Sequence, residues 1–388
     1  MKLAQINTVC NGSTGKIMGD IQRAANKEGF ETISFYGRRK GYKDLKCEKI
    51  GGFFSFCYHV FLTTVFDMQG HGSYFKTKKL VKRLKKENPD IIHLHNIHGY
   101  YINYKVFFKY LKNEYKGKIF WTFHDCWPFT GHCPYFDLVN CKKWQKQCYK
   151  CPNKKKYPIS LFFDRSYKNY IEKKELFTNL NNLTIITPSD WLNRLVKKSF
   201  FKDYDVITIN NGINLNLFKP TIDLNIKQKY NIPENKKILL GVASIWEERK
   251  GLNDFIKLSN KISDDFVIVL VGLNKKQIKS LNKNIIGIER TENQFELVKI
   301  YSVATWFLNL TYEDNYPTVN LEAIACGTPV ITYNTGGCSE QVSKETGFIV
   351  EVGNIEKVNK LINKRINFIN KKINNNKIND IINLYKEV

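Results

Sequence analysis

The pattern that most constrains this chain is a recurring strand, turn and helix. Leu3 to Val9 reads as a short apolar strand, residues 11–16 (NGSTGK) as a glycine-rich turn, and Ile17 to Lys27 as a helix. The unit returns as PDIIHLH at Pro89 to His95, a helical stretch from Tyr104 to Leu111, and KIFWTFHD at Lys118 to Asp125. Leu183 to Thr187 adds a strand, with Ser189 as the N-cap of the helix that follows. β-Branched apolar runs alternating with helical periodicity predict parallel sheets covered by helices on both faces.

The rhythm lapses between Asn214 and Asn235 and then restarts. Lys236 to Ser244, Asp265 to Gly272, Thr305 to Thr311 and Thr328 to Tyr333 read as strands of a second sheet. The expected organisation is α/β, with one Rossmann-like domain over residues 1–213 and another over 214–370. A C-terminal helix over 371–388 is expected to pack back on the first domain. A length of 388 residues agrees, because single cores stop growing near ~250 to 300 residues. Ligands of open parallel sheets bind beyond the carboxyl ends of the strands. Two such domains, facing each other, would enclose a cleft.

Charge is unevenly placed. Of the net +25, residues 1–200 carry +21, from 36 Lys and Arg against 15 Asp and Glu, and the remainder carries +4. A basic half attracts nucleic acid, anionic lipid or a phosphorylated substrate. The opening MKLAQINTVCNGS lacks a signal-peptide apolar run, which predicts a cytoplasmic protein. Residues 51–66 (GGFFSFCYHVFLTTVF) fall short of a spanning helix and read as buried or interfacial. With Lys76, Lys78, Lys79, Lys82 and Arg83 close behind, peripheral docking on an anionic membrane surface is expected.

The turn NGSTGK fits neither GxGxxG nor the P-loop spacing, since Cys10 stands where the P-loop's first glycine belongs. Kinase and ATPase chemistry are disfavoured, although Gly15 lets backbone approach a phosphate or sugar. The densest signal is Tyr312 to Glu340: an acidic loop, Asn315 and Tyr316, then Pro317 opening a helix that carries Glu322 eight residues after Asp314. Amides at Thr318 and Val319 suit phosphate oxygens, and a carboxylate further along suits ribose hydroxyls. Asp203-Tyr204-Asp205 has the Asp-x-Asp form of a metal-dependent transferase, but so short a motif arises often by chance.

Five of seven histidines fall in HLHNIHGYYIN and FHDCWPFTGHC. His93 reads as packed, while His95, His98 and His124 fall at or beyond strand ends, where polar groups should line the cleft, either as metal ligands or, more in keeping with such a cleft, as hydrogen-bond partners of a ligand's hydroxyls. Four of the ten cysteines, Cys133, Cys141, Cys148 and Cys151, lie within nineteen residues of one another. They are enough for a structural zinc site, with His132 as an alternate ligand, or they stand as reduced thiols.

The passage from Tyr312 to Glu340 resembles the donor-binding motif of the retaining family-4 glycosyltransferases, whose two Rossmann-like domains form the GT-B architecture. ERKGL at 248–252 is similar to that family's phosphate-binding lysine loop, NNGINLNLF at 210–218 to its interdomain stretch, and TGG at 335–337 with Glu340 to its next loop. FHD at 123–125 resembles the histidine segment that touches the donor sugar. The resemblance implies transfer of a hexose from a nucleoside-diphosphate sugar to a glycan or membrane-linked glycolipid acceptor in capsule, O-antigen or exopolysaccharide synthesis. Asp314, standing where the family has Glu, and His124 would face the sugar, and Glu322 the ribose. Because Ile245 replaces a common arginine, Lys250, Arg249 and Arg290 would neutralise the diphosphate beside Ser244, without a catalytic metal. His95, His98 and Asp125 fall on the acceptor side. The alternatives are a zinc-containing nucleic-acid binder, which no recognised nucleic-acid fold signature accompanies, and an epimerase or phosphorylase on the same scaffold.

Overall fold

A computed structural model describes residues 1–223, 225–364 and 377–388. The chain divides into two compact units, Met1–Asn211 with Asn376–Val388, and Gly212–Asn375. The proposed boundary between residues 370 and 371 lies outside the described residues.

Unit 1 runs β1 (Lys2–Val9), α1 (Ser13–Lys27), β2 (Glu31–Arg38), β3 (Cys47–Lys49), α2 (Phe53–Phe66), α3 (Tyr74–Glu87), β4 (Ile91–Leu94), α4 (Tyr104–Asn113) and β5 (Lys118–Thr122). It continues through α5 (Ser166–Phe177), β6 (Leu183–Thr187), α6 (Asp190–Val196) and β7 (Val206–Thr208). The strands form a parallel sheet in the order β3-β2-β1-β4-β5-β6-β7. Ala4 lies between Ile33 and Ile92, fixing the register at the centre. Both faces are covered, which is why β4 to β6 read as nearly unbroken apolar runs.

The helix α1 starts at Ser13, four residues before the expected start. Gly12, at φ +82°, opens it, and Gly15 sits in its first turn against β1. A Cβ on Gly15 would stand 2.6 Å from the Cys10 carbonyl carbon. This glycine is thus needed for close helix–strand packing. Ser189 caps α6 by accepting from the Leu192 amide at 3.1 Å.

Residues 126–152 form loops with two short 3-10 turns, Trp127–Phe129 and Lys143–Gln145. Trp144 anchors them, its ring 4.9 Å from Phe136 and 5.2 Å from Phe129. Lys173 on α5 is buried beneath, donating to the carbonyls of Trp127 at 2.8 Å and Thr130 at 3.0 Å. Burial lowers its pKa to about 7.

Unit 2 runs α7 (Ile226–Lys229), β8 (Lys237–Val242), α8 (Leu252–Ser259), β9 (Phe266–Val271), α9 (Lys275–Lys279), β10 (Ile285–Ile288), α10 (Gln294–Val303) and β11 (Trp306–Asn309). It closes with α11 (Thr318–Ala325), β12 (Val330–Tyr333), β13 (Gly347–Val350) and α12 (Ile355–Ile362). Its parallel sheet has the order β10-β9-β8-β11-β12-β13. All six residues of β9 are buried. The last helix, α13 (Lys377–Lys386), belongs to unit 1, where buried Tyr385 packs on Phe30 and Phe120.

Strand order reverses between β1 and β4 in one sheet and between β8 and β11 in the other. Crevices at such switch points, beyond the carboxyl ends, are where α/β sheets hold ligands. Among the described residues, no helix is long and apolar enough to cross a membrane.

Candidate functional site

In unit 2, three loops meet beyond the carboxyl ends of β8, β11 and β12. The loop after β8 ends in a 3-10 turn at Glu248–Lys250 and turns at Gly251, φ +74°. A Cβ at Gly251 would lie 1.9 Å from the Leu310 carbonyl oxygen, so only glycine lets this loop lie on the end of β11. The Tyr312 amide donates to the Arg249 carbonyl at 2.7 Å, and the Thr311 hydroxyl reaches the same oxygen at 3.0 Å. From the third loop, the Gly337 amide donates to the Asn315 carbonyl at 2.7 Å and the Thr335 hydroxyl to the Tyr312 carbonyl at 2.7 Å.

These ties bring Lys250 and Asp314 together although 64 residues separate them. The ammonium donates to the carboxylate, and both side chains are largely covered. Burial raises the Asp314 carboxyl, but Lys250 and Arg249 outweigh it and hold it below its ordinary value. Arg249 donates through Nη1 to the Glu313 carbonyl at 3.0 Å and through Nε to Glu247 at 3.2 Å. Pro317 stands at the N-cap of α11, leaving Thr318 and Val319 in the first turn, where amides have no intrahelical acceptor. One turn further, buried Glu322 accepts from the Tyr301 hydroxyl at 3.2 Å. Cations, helix-terminal amides and a carboxylate thus line one switch point. That set matches the charge of a diphosphate.

Ser244 lies exposed in the loop after β8. Arg290 lies exposed beyond β10, the edge strand, with β9 between it and β8. Tyr316 is half-buried beside α11, while Asn315 is buried.

A network of side-chain amides supports α11. Asn309 at the end of β11 donates to Asn320 at 2.9 Å, Asn320 donates to Gln341 at 3.0 Å, and Gln341 donates to the Pro317 carbonyl at 3.0 Å. In a chain rich in asparagine, nothing in the sequence marks these two.

Unit 1 builds its polar centre from imidazoles. Buried His93 contacts the Tyr385 hydroxyl through Nδ1 at 2.5 Å and Thr122 through Nε2 at 2.8 Å. His95 meets Gln5 at 3.2 Å and His124 at 3.1 Å, its ring stacked on the latter at 5.3 Å. His98 bridges Asp125 at 2.9 Å and the Tyr157 hydroxyl at 3.1 Å, and Asp125 also accepts from the Trp127 amide. Burial lowers His93 to about 3 and His124 to about 4, and depresses His95 as well. Near neutrality these rings are uncharged, able to donate or accept a hydrogen bond to a hydroxyl. Gly15 belongs to this unit, packed as described above.

Cys133, Cys141, Cys148 and Cys151 line one small cavity with His132. The Cys133 thiol donates to Cys151; this bond and burial raise Cys133, while the same bond lowers Cys151 to about 7. His132 holds Asp67 through Nδ1 at 2.6 Å, and among the described residues no partner faces its buried Nε2. Also among the described residues, no group of three or more His, Cys, Asp or Glu side chains is arranged to hold a metal ion.

Comparison with known proteins follows the same division. The family model described as Glycosyltransferase Family 4 matches residues 20–217, and that of Glycosyl transferases group 1 matches residues 223–378. A colanic acid biosynthesis glycosyl transferase, WcaC of Escherichia coli K12, is 22% identical over 362 residues, covering 89% of this chain and 86% of its own. The capsular polysaccharide biosynthesis glycosyltransferase CapM of Staphylococcus aureus is 30% identical over 211 residues, 46% of this chain and 52% of its own. Among solved structures, sucrose-phosphate synthase from Thermosynechococcus elongatus superposes with a TM-score of 0.73 at 16% identity, covering 100% of this chain and 98% of its own. Anabaena HepE in complex with UDP-glucose gives 0.62 at 14% identity, over 94% and 89%. With the family model spanning more than half of its length and two Rossmann-like parallel sheets in its fold, the chain belongs to glycosyltransferase family 4 and is a transferase of GT-B architecture.

Proposed function

We propose that this enzyme transfers a hexose, with retention of anomeric configuration, from a nucleoside-diphosphate sugar to a membrane-linked or oligosaccharide acceptor in cell-surface polysaccharide synthesis. The observation that carries the reading is the Lys250–Asp314 pair at the switch point of unit 2, beside the first turn of α11 and Glu322. An incoming diphosphate would take over Lys250 from Asp314. The carboxylate, released from its cation, would then accept a hydroxyl of the donor sugar. As the glycosidic bond breaks, negative charge grows on the leaving phosphate, and Lys250, Arg249 and the amides of Thr318 and Val319 stabilise it without reorganising. Glu322 would accept the ribose hydroxyls, and neutral His124 would hold the sugar. His95, His98 and Asp125 are assigned to the acceptor side.

The names of WcaC and CapM support the polysaccharide pathway, and the UDP-glucose complex of HepE supports a nucleotide-sugar donor. A donor screen by mass spectrometry, with membrane extract as acceptor, tests the reading. One nucleotide sugar should be consumed with its hexose added to the acceptor. Turnover without acceptor, or dependence on phosphate, would replace transfer by epimerase or phosphorylase chemistry.

Structural zinc on the four cysteines, with His132 as an alternate ligand, is a separate proposal, supported by the small cavity they line together; it requires the side chains to close on the ion, because among the described residues no three of them are already arranged around one. Elemental analysis of protein purified without chelator should find stoichiometric zinc; a folded, metal-free protein would remove it.

A further inference from the structure

The sequence of α2, FFSFCYHVFLTTVF, contains no charged residue. A surface helix ordinarily turns its apolar stripe inward. Here the two residues buried are the polar ones, His59 and Thr63. His59 accepts from the Gly70 amide at 2.8 Å and meets Ser73 at 3.2 Å, while Thr63 donates to the His59 carbonyl at 2.9 Å. The opposite face shows Phe54 at 86% exposure, Tyr58 at 58% and Phe61 at 51%. Their spacing of four and three residues puts them on one helical face.

Two further segments extend this face. At the far end of α2, the Leu161 amide donates to the Thr64 carbonyl at 2.8 Å and the Phe163 amide to that of Val65 at 3.3 Å. The rings of Phe66 and Phe163 stack at 5.5 Å, leaving Phe162 69% exposed. At the near end, Ser55 bonds to Ser73 at 3.0 Å, which brings up the first turn of α3 with Phe75 at 81% exposure. A contiguous exposed band of this kind marks an interaction surface rather than ordinary scattered apolar exposure.

Charge selects the occupant. Lys76, Lys78, Lys79 and Lys82 of α3 are exposed just beyond Phe75, and Lys155 is exposed before residues 157–163. Between Gly51 and Lys86 the only acidic residue is Asp67, which is buried against His132. Exposed aromatic side chains with a basic rim fit the acyl–headgroup boundary of an anionic bilayer. A two-fold contact with a second copy would instead crowd two basic rims into one interface.

We propose that α2, the first turn of α3 and residues 157–163 form one membrane-docking face that seats shallowly in a bilayer containing anionic lipid. This deepens the reading of unit 1 as the acceptor side, since it names the surface on which a lipid-linked acceptor would be met.

Flotation of the full-length protein tests it, using vesicles of phosphatidylcholine alone and of phosphatidylcholine with phosphatidylglycerol. The wild type should float with the mixed vesicles and be released as salt rises. Replacing Phe54→Ser together with Phe162→Ser should reduce the bound fraction about tenfold, as expected for withdrawing two half-inserted rings. Lys78→Gln with Lys79→Gln should narrow the difference between the two vesicle types. Because these positions are exposed, folding should be unaffected, which unchanged nucleotide-sugar calorimetry would verify. Absence of wild-type flotation at low salt, equal binding to neutral and anionic vesicles, or full flotation of the double serine variant would overturn the proposal. So would a lipid-free dimer dispersed by the serine changes. Loss of nucleotide-sugar binding with flotation intact would count against the transferase donor reading instead.

Discussion

All seven histidines lie in unit 1, none later than His132, whereas unit 2 has none and builds its polar centre from ions. The two sheets share parallel topology and a switch point, yet their means differ. Unit 1 buries His93, His95 and His124, whose pKa values burial lowers, and holds them by Tyr385, Thr122, Gln5 and one another, so this part of the unit is organised before any ligand arrives. Unit 2 covers a lysine and a carboxylate that satisfy each other, a pair that the proposed function has a diphosphate part. A neutral network suits hydroxyls, and an exchangeable ion pair suits a diphosphate. Fold alone distinguishes neither, and the distinction lives in the residues placed beyond the strands.

The contrast should break most visibly at Lys250. Lys250→Ala removes the cation expected to stabilise the leaving diphosphate, so kcat/KM should fall by the equivalent of about 2 to 4 kcal/mol. Steady-state kinetics with the accepted donor measures this, and a fully active variant would show that the phosphate loop is misplaced.

Acid should separate the units next. His59, His93, His95 and His124 all have folded pKa values below the ordinary histidine value, about 3 for the first two and about 4 for His124. The unfolded chain therefore binds more protons between those values and about 6.5. The stability they contribute is complete above pH ~6.5 and is lost as pH falls, at up to ~1.4 kcal/mol per pH unit for each ring. Hydrogen exchange followed by mass spectrometry at successive pH values should show unit 1 opening between pH ~6 and ~4.5, before unit 2. Simultaneous opening would contradict the contrast.

A smaller effect is expected at Glu322. Glu322→Gln keeps an oxygen for the Tyr301 hydroxyl but loses the charge offered to ribose, so nucleotide affinity should fall about tenfold, about 1.4 kcal/mol, with little change in stability. The smallest should be Tyr385→Phe, which deprives His93 of its hydroxyl partner. It should lower the stability of unit 1 by about 1 kcal/mol in chemical denaturation while leaving nucleotide binding unchanged.

What could be read from sequence followed the same physics. Strands buried on both faces, such as β9, announce themselves as unbroken apolar runs. By contrast β3 (CEK), β10 (IIGI) and β13 (GFIV) are short outer strands, and β2 (ETISFYGR) mixes polar with apolar positions. None of these four carries the long unbroken apolar run by which a strand buried on both faces is read. The start of α1 was misplaced because Gly12 and Gly15 read as a turn, whereas Gly15 serves helix packing. Spacing along the acidic loop singles out Asp314 and Glu322, whereas Lys250 is marked only by the resemblance of ERKGL at 248–252 to the family's phosphate-binding loop. The ion pair across 64 residues depends on the adjacency of β8 and β11, which no local pattern encodes. Likewise, the apolar composition of α2 was plain, but the burial of His59 and Thr63 in place of its phenylalanines required the fold.

The most direct measurement is titration calorimetry of UDP-, GDP- and ADP-sugars against the wild type and Lys250→Ala. One donor should bind the wild type and weaken by about tenfold or more in the variant, the share of the kcat/KM loss already present in the bound ground state. Failure of every donor to bind the wild type, or equal binding by both proteins, would contradict the assignment of unit 2 as the donor-diphosphate site.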